Sequence, residues 1–304
     1  MLYSSAYITW DMTNIWTIEE ENTTAYLKNL QKPESIKKEN INYEGYEIVG
    51  TGTVSDPYII TTPVQLQKVN ENVDAYYKLG ANIDLAGRTW TPIGRANYPF
   101  KGQIDGDGFV IRNLSINGTS NNQGLFGYNT GIIKNIKLDG INVKGTDYIG
   151  GLLSYNLGTV QGCEISNSTI EGKTTVGGLI GYTSSILTES KSSAVVNGDT
   201  NVGGLIGTIY VNNNNLTIDN LSSTGNVTGK DNVGGLVGYS YSYLTGNSSN
   251  ITYNLMIKRS YATGEVTATG NNVGGLVGYQ YSNTFSYNHY QYLNNYVQEC
   301  YATR

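Results

Sequence analysis

The chain has 304 residues, a formal net charge of −5 and 14% charged residues. Its only basic cluster is Lys37-Lys38, so we expect no binding to nucleic-acid phosphates, which requires a basic surface. No apolar stretch approaches the ~18 residues that a membrane span needs. The abundance of tyrosine, with 26 residues, and of Asn, Ser and Thr suits the surfaces of β-sheets.

The first 49 residues are predicted to precede the main fold. Residues 1–27 carry an alternating aromatic and apolar pattern around Trp10 and Trp16 that predicts one or two strands. The charged residues 28–49 predict a linker. The first residues lack a signal-peptide pattern, so the chain is expected to be either intracellular or a piece of a longer exported protein.

A short helix is predicted near the start of the next module, residues 50–123. Thr62 is a suitable N-cap, Pro63 suits the first helical position, and Gln65 completes a capping box. We expect this helix to cover one end of a stack of strands, with one apolar face formed by Leu66, Val69 and Val73.

Short strands are predicted directly after this helix. The turn Asp105-Gly106-Asp107-Gly108 separates two of them. The predicted strands are 76–79, 83–85, 102–104, 109–111 and 114–116.

One pentapeptide, Gly-Gly-Leu-Ile/Val-Gly, then recurs through residues 124–304. Its leucines, including those of two looser copies, are 27, 27, 26, 31 and 40 residues apart. A short apolar unit that returns at this period is typical of a solenoid. The six leucines are Leu125, Leu152, Leu179, Leu205, Leu236 and Leu276.

Each coil is predicted to contain three strands: one at the glycine motif, one such as 132–138 and one such as 141–143. These segments are too short for βαβ crossovers and lack a helical period, so parallel stacking remains, usually with right-handed connections. The predicted fold is therefore all-β, a right-handed parallel β-helix (solenoid) with a short N-terminal capping helix. The leucines should form an inward ladder. The glycines should stand at corners where stacked side chains would collide or where φ is positive.

The two cysteines, Cys163 and Cys300, occupy equivalent repeat positions four coils apart. At ~4.8 Å per coil their separation is roughly 19 Å, too far for a disulfide. We therefore expect two free, inward-facing thiols.

These motifs resemble the GLUG repeat, named for its Gly-Leu-(apolar)-Gly core, over about residues 50–304. The opening module resembles the segment that precedes such arrays, with Asp56-Pro57-Tyr58, Trp90-Thr-Pro92-Ile93-Gly94 and Phe100-Lys-Gly102 in family order. The resemblance implies a large exported bacterial or archaeal surface protein, either an adhesin or an IgA-cleaving peptidase.

Residues near both termini carry related expectations. Trp10–Ile18 resembles the segment that closes such an array, whereas Cys300–Thr303 matches the mid-repeat segment Ser260–Thr263. We expect a window from a longer tandem protein. The alternative is head-to-tail self-association, in which residues 1–27 of one copy complete the last coil of the next.

Catalytic chemistry has few candidate residues. The resemblance to IgA-cleaving peptidases implies a zinc motif, His-Glu-x-x-His, which a single histidine, His289, does not supply. Glycosidases generally need two opposed carboxylates, and the best pair, Asp105 and Asp107, lies in the predicted turn. We expect no enzyme activity, no metal and no cofactor; a glycan-degrading enzyme or a calcium site stays an alternative.

The lengthened repeats carry the binding prediction. Their inserts, rich in Tyr, Asn and Ser, follow the glycine motif and should leave the same corner, either as a binding face or as β-ribbon packed on the solenoid. The predicted function is the extracellular stalk of a cell-surface adhesin that contacts polysaccharide or protein; the alternative is a polysaccharide-binding module. The candidate ligand-binding residues are Tyr239, Tyr241, Tyr243, Tyr253, Tyr279, Tyr281, Tyr287, Tyr290 and Tyr292.

Overall fold

The computed structural model describes residues 16–17, 26–27, 48–245, 251–285 and 291–303. The chain divides into two compact units, Met1–Glu47 and Ile48–Arg304. In the first unit, strands Trp16–Thr17 and Tyr26–Leu27 pair in antiparallel fashion. The rest of the predicted closing segment, 1–27, and residues 28–47 of the predicted linker lie outside the described residues.

The predicted helix begins where its capping signals place it. Helix α1 spans Pro63–Lys68, and both hydrogen bonds of the capping box join Thr62 to Gln65. A 3-10 turn, Val69–Glu71, follows. The predicted apolar face is buried in the core at Leu66, Val69 and Val73; that the helix covers the end of the stack stays a prediction.

The second unit is a parallel β-solenoid, which confirms the predicted all-β fold class; the right-handed sense stays a prediction. Its strands form five parallel sheets, numbered here I to V in the order in which a coil visits them. Sheet I contains Asp147–Gly150, Thr174–Gly177, Thr200–Gly203, Asp231–Gly234 and Val273–Gly274. Sheet II contains Phe126–Asn129, Leu153–Asn156, Ile180–Thr183, Ile206–Asn212, Val237–Thr245 and Val277–Phe285.

The other three sheets complete each coil and include the opening strands near α1. Sheet III contains Tyr58–Ile60, Tyr76–Leu79, Gln103–Asp105, Ile132–Lys134, Thr159–Gln161, Leu187–Thr188, Leu216–Asp219, Ile251–Lys258 and Gln291–Gln298. Sheet IV contains Ile83–Asp84, Val110–Arg112, Lys137–Asp139, Glu164–Ser166, Lys191–Ser192, Ser222–Ser223, Tyr261–Ala262 and Tyr301–Ala302. Sheet V contains Ser115–Asn117, Asn142–Lys144, Thr169–Glu171, Val195–Asn197, Val227–Gly229 and Val266–Ala268.

A regular coil therefore has five strands, and the prediction of three was wrong. The predicted strand 132–138 is divided into Ile132–Lys134 and Lys137–Asp139. Between them Asn135 has a φ of 56°. One left-handed residue turns the chain sharply, so Asn135 makes a corner that a hydrophobic pattern does not reveal.

The motif glycines stand at a corner because of close backbone contacts. A Cβ on Gly177 would lie 2.0 Å from the carbonyl oxygen of Ile180, and one on Gly204 would lie 2.3 Å from that of Gly235. The alternative reason, positive φ, does not apply to these glycines, since every positive-φ glycine in the described residues lies outside the motif. Positive φ occurs instead at Asn201 and Asn232 in sheet I.

The motif leucines and the cysteines lie on the inner side of the coils. Five of the six leucines are fully buried, and Leu276 in the last coil is partly buried. Cys163 is buried, Cys300 is half-buried, and both are free thiols. Burial raises the pKa of the Cys163 thiol to about 12, so this side chain is neutral in the folded protein.

The longer repeats lengthen strands of sheets II and III. We call the added part the extension: Tyr210–Asn212, Tyr241–Thr245 and Tyr281–Phe285 of sheet II, with Leu216–Thr217, Ile251–Met256 and Gln291–Tyr296 of sheet III. The hydroxyl of Ser242 donates to Oδ1 of Asn295 over 3.2 Å, and Nδ2 of Asn295 donates to Oγ of Ser282. The two lengthened sheets therefore face each other across these polar contacts.

Candidate functional site

Sheet II presents a row of tyrosines on one side, which we call the tyrosine face. In Val237–Thr245 the alternation is plain: Ser240, Ser242 and Leu244 are buried, whereas the tyrosines between them are half-exposed. Successive residues of a strand point to opposite sides, so the serines face sheet III and the tyrosines face outward. The tyrosine face consists of Tyr128, Tyr155, Tyr182, Tyr210, Tyr239, Tyr241, Tyr243, Tyr279 and Tyr281.

Parallel, in-register pairing stacks these rings from coil to coil. Tyr128, Tyr155 and Tyr182 occupy one column. The ring centroids of Tyr128 and Tyr155 are 5.1 Å apart, and those of Tyr155 and Tyr182 are 4.1 Å apart with planes 14° from parallel. Tyr148 of sheet I contacts Tyr182 edge-on at 6.2 Å. The first part of the face is thus a closely packed stack.

The stack changes column where a threonine replaces tyrosine. Thr208 pairs with Tyr182 and with Tyr239, which interrupts the first column. Tyr210, two residues further on, continues the stack at 6.2 Å from Tyr182 and 5.4 Å from Tyr241. The nine rings therefore form one connected series across six strands.

The extension widens the series into neighbouring columns. Tyr241 lies 6.2 Å from Tyr239, 6.1 Å from Tyr243 and 5.6 Å from Tyr281, and Tyr239 lies 5.7 Å from Tyr279. The planes in these four pairs are within 19° of parallel. This part of the face is a flat, two-dimensional array of rings.

The nine predicted binding tyrosines do not all lie on the same sheet. Five lie on the tyrosine face: Tyr239, Tyr241, Tyr243, Tyr279 and Tyr281. Tyr253 and Tyr292 belong to sheet III instead. The inserts leave the same corner of the coil, as predicted, but their tyrosines do not share one face. Tyr253 lies two residues before buried Leu255 on the same strand and so points inward. Tyr292, 55% exposed, points outward from the opposite side of the extension. Tyr287 and Tyr290 lie outside the described residues.

Four tyrosines of the face were absent from the predicted set: Tyr128, Tyr155, Tyr182 and Tyr210. Three of them stand three residues after a motif leucine, as Tyr239 and Tyr279 do. That constant offset is a sequence signal for one column. Tyr210 has no such signal, because it joins the stack only through the lengthening of strand Ile206–Asn212.

The tyrosine face is uncharged. None of the six strands of sheet II contains an acidic or basic residue. Burial raises the pKa of Tyr182 well above its ordinary value, and the neighbouring Tyr155 adds to this shift. Burial also raises the pKa of Tyr128, Tyr239 and Tyr241. These four phenols are therefore neutral near pH 7 and able both to donate and to accept hydrogen bonds.

Ring stacking limits which parts of these side chains a ligand can reach. Rings that stack at 4.1 to 5.7 Å cover each other's faces, so the outer surface consists of ring edges and hydroxyl groups. Tyr279 and Tyr281, 38% and 42% exposed, belong to the last described strand of sheet II. Sugar stacking on a ring face has room only there, and elsewhere the face offers regular rows of hydroxyls.

The predicted alternative site at Asp105 and Asp107 is a turn with satisfied carboxylates. Asp105 accepts from the backbone N–H of Asp107 and pairs with Lys134 at 3.2 Å, and Asp107 pairs with Lys78 at 2.9 Å. Within the residues the structure describes, no group of three or more His, Cys, Asp or Glu side chains is arranged as metal ligands. His289 lies outside the described residues.

The chain matches no known protein-family model, and the resemblance to GLUG repeats stays a prediction. Two similar sequences are the halomucin of Haloquadratum walsbyi, 38% identical over 109 residues, and a "Putative Gly-rich membrane protein" of Evansella cellulosilytica, 35% identical over 102 residues. The matches cover 29% and 30% of this chain. They span 1% and 12% of those relatives.

Two solved structures are similar to most of the chain. One is a putative immunoglobulin A1 protease from Bacteroides ovatus, with 19% identity, a TM-score of 0.43 and coverage of 84% of this chain and 86% of that one. The other is an IgA1 protease, with 18% identity, a TM-score of 0.49 and coverage of 76% of this chain and 21% of that one.

The helices described for this chain are too short and too polar for a membrane span.

Proposed function

We propose that this chain is a non-enzymatic repeat region of an extracellular cell-surface protein, and that its tyrosine face binds a neutral polysaccharide. The observation that carries the proposal is the uncharged array of nine neighbouring phenols on one side of sheet II. The names of the two relatives, a halomucin and a membrane protein, support a location at the cell surface. The solenoid itself serves as a stiff spacer, because each coil is held by both of its neighbours.

Hydroxyl rows suit a polymer that repeats its own hydroxyl groups. Neutral phenols donate and accept hydrogen bonds without a charge penalty, and ring edges supply apolar contact area at a low entropic cost. Sheet II has no charged side chain to attract or repel an ionic partner. A neutral polysaccharide therefore fits the face better than an acidic one.

The test is a pull-down of the full chain on insoluble polysaccharides together with a glycan array. The variant Tyr241→Ser, Tyr243→Ser, Tyr279→Ser and Tyr281→Ser should lose binding while keeping the β-sheet circular dichroism spectrum. The matched control, Tyr292→Ser with Tyr296→Ser, changes tyrosines of sheet III that are 55% and 40% exposed and should bind as the parent chain does.

Phenylalanine variants separate the hydroxyl groups from the rings. Tyr241→Phe with Tyr281→Phe keeps the stack but removes two hydroxyls, so binding through hydrogen bonds should weaken.

Retained binding in the serine variant would contradict the proposal, as would equal loss in the sheet III control. Cleavage of any glycan on the array would overturn its non-enzymatic part, and binding to proteins alone would replace the polysaccharide by a protein partner.

A further inference from the structure

The tyrosine face has a chemical property that is independent of ligand binding. Its rings belong to equivalent strands of adjacent coils. Apart from Tyr243, which pairs with Asn283, each phenol meets a phenol of a neighbouring coil. Tyr155 and Tyr182 have centroids 4.1 Å apart and planes 14° from parallel. Tyr241 and Tyr281 are 5.6 Å and 15° apart. Bond formation between such neighbours requires a rotation about the side-chain torsions that brings together the ring carbons next to the hydroxyl groups.

The side chains around these rings confine oxidation to the phenols of the tyrosine face. The six strands of sheet II contain no cysteine, methionine or tryptophan. The buried sulfur of Cys163 lies against backbone carbonyls of Ile133 and Gln161 in sheet III. Within sheet II, an oxidised phenol therefore has other phenols as its oxidisable neighbours.

We propose that the tyrosine face is a site of oxidative cross-linking, in which dityrosine bonds join neighbouring coils of the same molecule, first between Tyr155 and Tyr182. The oxidant is a peroxide used by a peroxidase-type one-electron enzyme. Each phenol loses one electron and one proton to become a phenoxyl radical. Two radicals then form one carbon–carbon bond between their ortho carbons.

The bond is completed when each ring moves its ortho hydrogen to the phenol oxygen and becomes aromatic again. The protein loses two hydrogen atoms for each bond, and one hydrogen peroxide is reduced to two water molecules. Electron transfer between stacked phenols lets a radical formed at an exposed ring, such as Tyr281, move along the series before it couples. The product is an additional covalent link between coils that strand hydrogen bonds and core packing hold together in the unmodified protein.

The test treats the full chain with a peroxidase and hydrogen peroxide at low protein concentration, followed by proteolysis and mass spectrometry. The expected result is a monomeric protein with dityrosine fluorescence and a peptide pair that joins Tyr155 to Tyr182 with the loss of two hydrogens. The variant Tyr155→Phe with Tyr182→Phe keeps both rings but should lose this pair and retain the one between Tyr241 and Tyr281.

Two comparisons make the test selective. Tyr58 and Tyr77 are 5.5 Å apart, but Tyr77 is buried and donates its hydroxyl to the carbonyl of Asn72, so this pair should not cross-link. The same treatment in denaturant should remove the preference for pairs of the tyrosine face. Cross-links found only between molecules, or a pattern that the Phe variant leaves unchanged, would overturn the proposal.

Discussion

At the scale of single residues, the fold depends on positions where no side chain fits. Gly203 is the clearest, because a Cβ there would lie 2.0 Å from the carbonyl oxygen of Ile206 and 2.6 Å from the backbone nitrogen of Gly238. Both neighbours are backbone atoms of the stack, which cannot move independently. The motif glycine is thus required by the distance between coils and not by its φ angle.

Gly203→Ala should therefore destabilise the solenoid by about 2 kcal/mol or more, within the range for overpacked sites. Gly118→Ala is the matched control, because the nearest atom to its Cβ is 3.9 Å away. Urea unfolding followed by circular dichroism measures the difference. Equal stability of the two variants would show that the corner relaxes around a methyl group.

At the scale of elements, sheet II combines a structural ladder with the tyrosine face. Along one strand, buried positions hold it to the coil while Tyr182 and its neighbours cover the outside. Stacked aromatic pairs contribute about 0.5–1.5 kcal/mol beyond their buried area. The stack should therefore stabilise the coils as well as present hydroxyl groups.

This stack makes stability depend on pH in alkaline solution. Burial raises the folded-state pKa of Tyr182, with smaller contributions at Tyr128, Tyr239 and Tyr241. A phenol whose pKa is raised by folding contributes fully to the free energy of unfolding below its unfolded-state pKa of about 10. That contribution is lost as the pH rises from there towards the folded-state pKa. We expect a constant urea midpoint from about pH 7 to 9 and a steep fall above about pH 10.

Phenolate absorbance followed in parallel with circular dichroism measures this prediction. A fraction of the tyrosines should ionise only when the β-sheet signal is lost. Tyr182→Phe should reduce the dependence, because it removes the phenol with the largest shift among these four. Reversible ionisation of every tyrosine near pH 10 with the fold intact would contradict it.

At the scale of the whole molecule, the second unit is a one-dimensional stack. Each coil pairs with the coil before and the coil after it, as Leu153 does with Phe126 and Ile180. In such arrays stability is close to a sum of coil and interface terms. Coils should therefore be removable as units.

Deletion of residues 151–177 joins Gly150 to Gly178 and removes one complete coil while every sheet keeps its register. We expect a folded, monomeric protein with a lower urea m-value, because less surface is exposed on unfolding. Deletion of residues 151–163 removes only part of a coil and is the control, since it places strands of different sheets against each other and should abolish folding. Unfolding of the whole-coil deletion would contradict nearest-neighbour stability.

The amino-acid sequence by itself determined the coil. Because each residue of a parallel stack meets its own copies, the recurrence of Gly-Gly-Leu predicts both the stack and its corner, and Thr62 and Gln65 place helix α1 without tertiary information. The corners at residues such as Asn135 escaped prediction, since a single left-handed residue interrupts no hydrophobic pattern.

Only the tertiary structure decided which tyrosines of the extension meet. Tyr241 and Tyr292 have similar sequence surroundings, yet strand pairing assigns them to sheets II and III and so to opposite sides of the extension. Strand pairing also decides which ring faces are covered, because in-register coils stack one tyrosine ring on the next. The physical reason is that side and stacking depend on register between distant strands, which no local pattern contains.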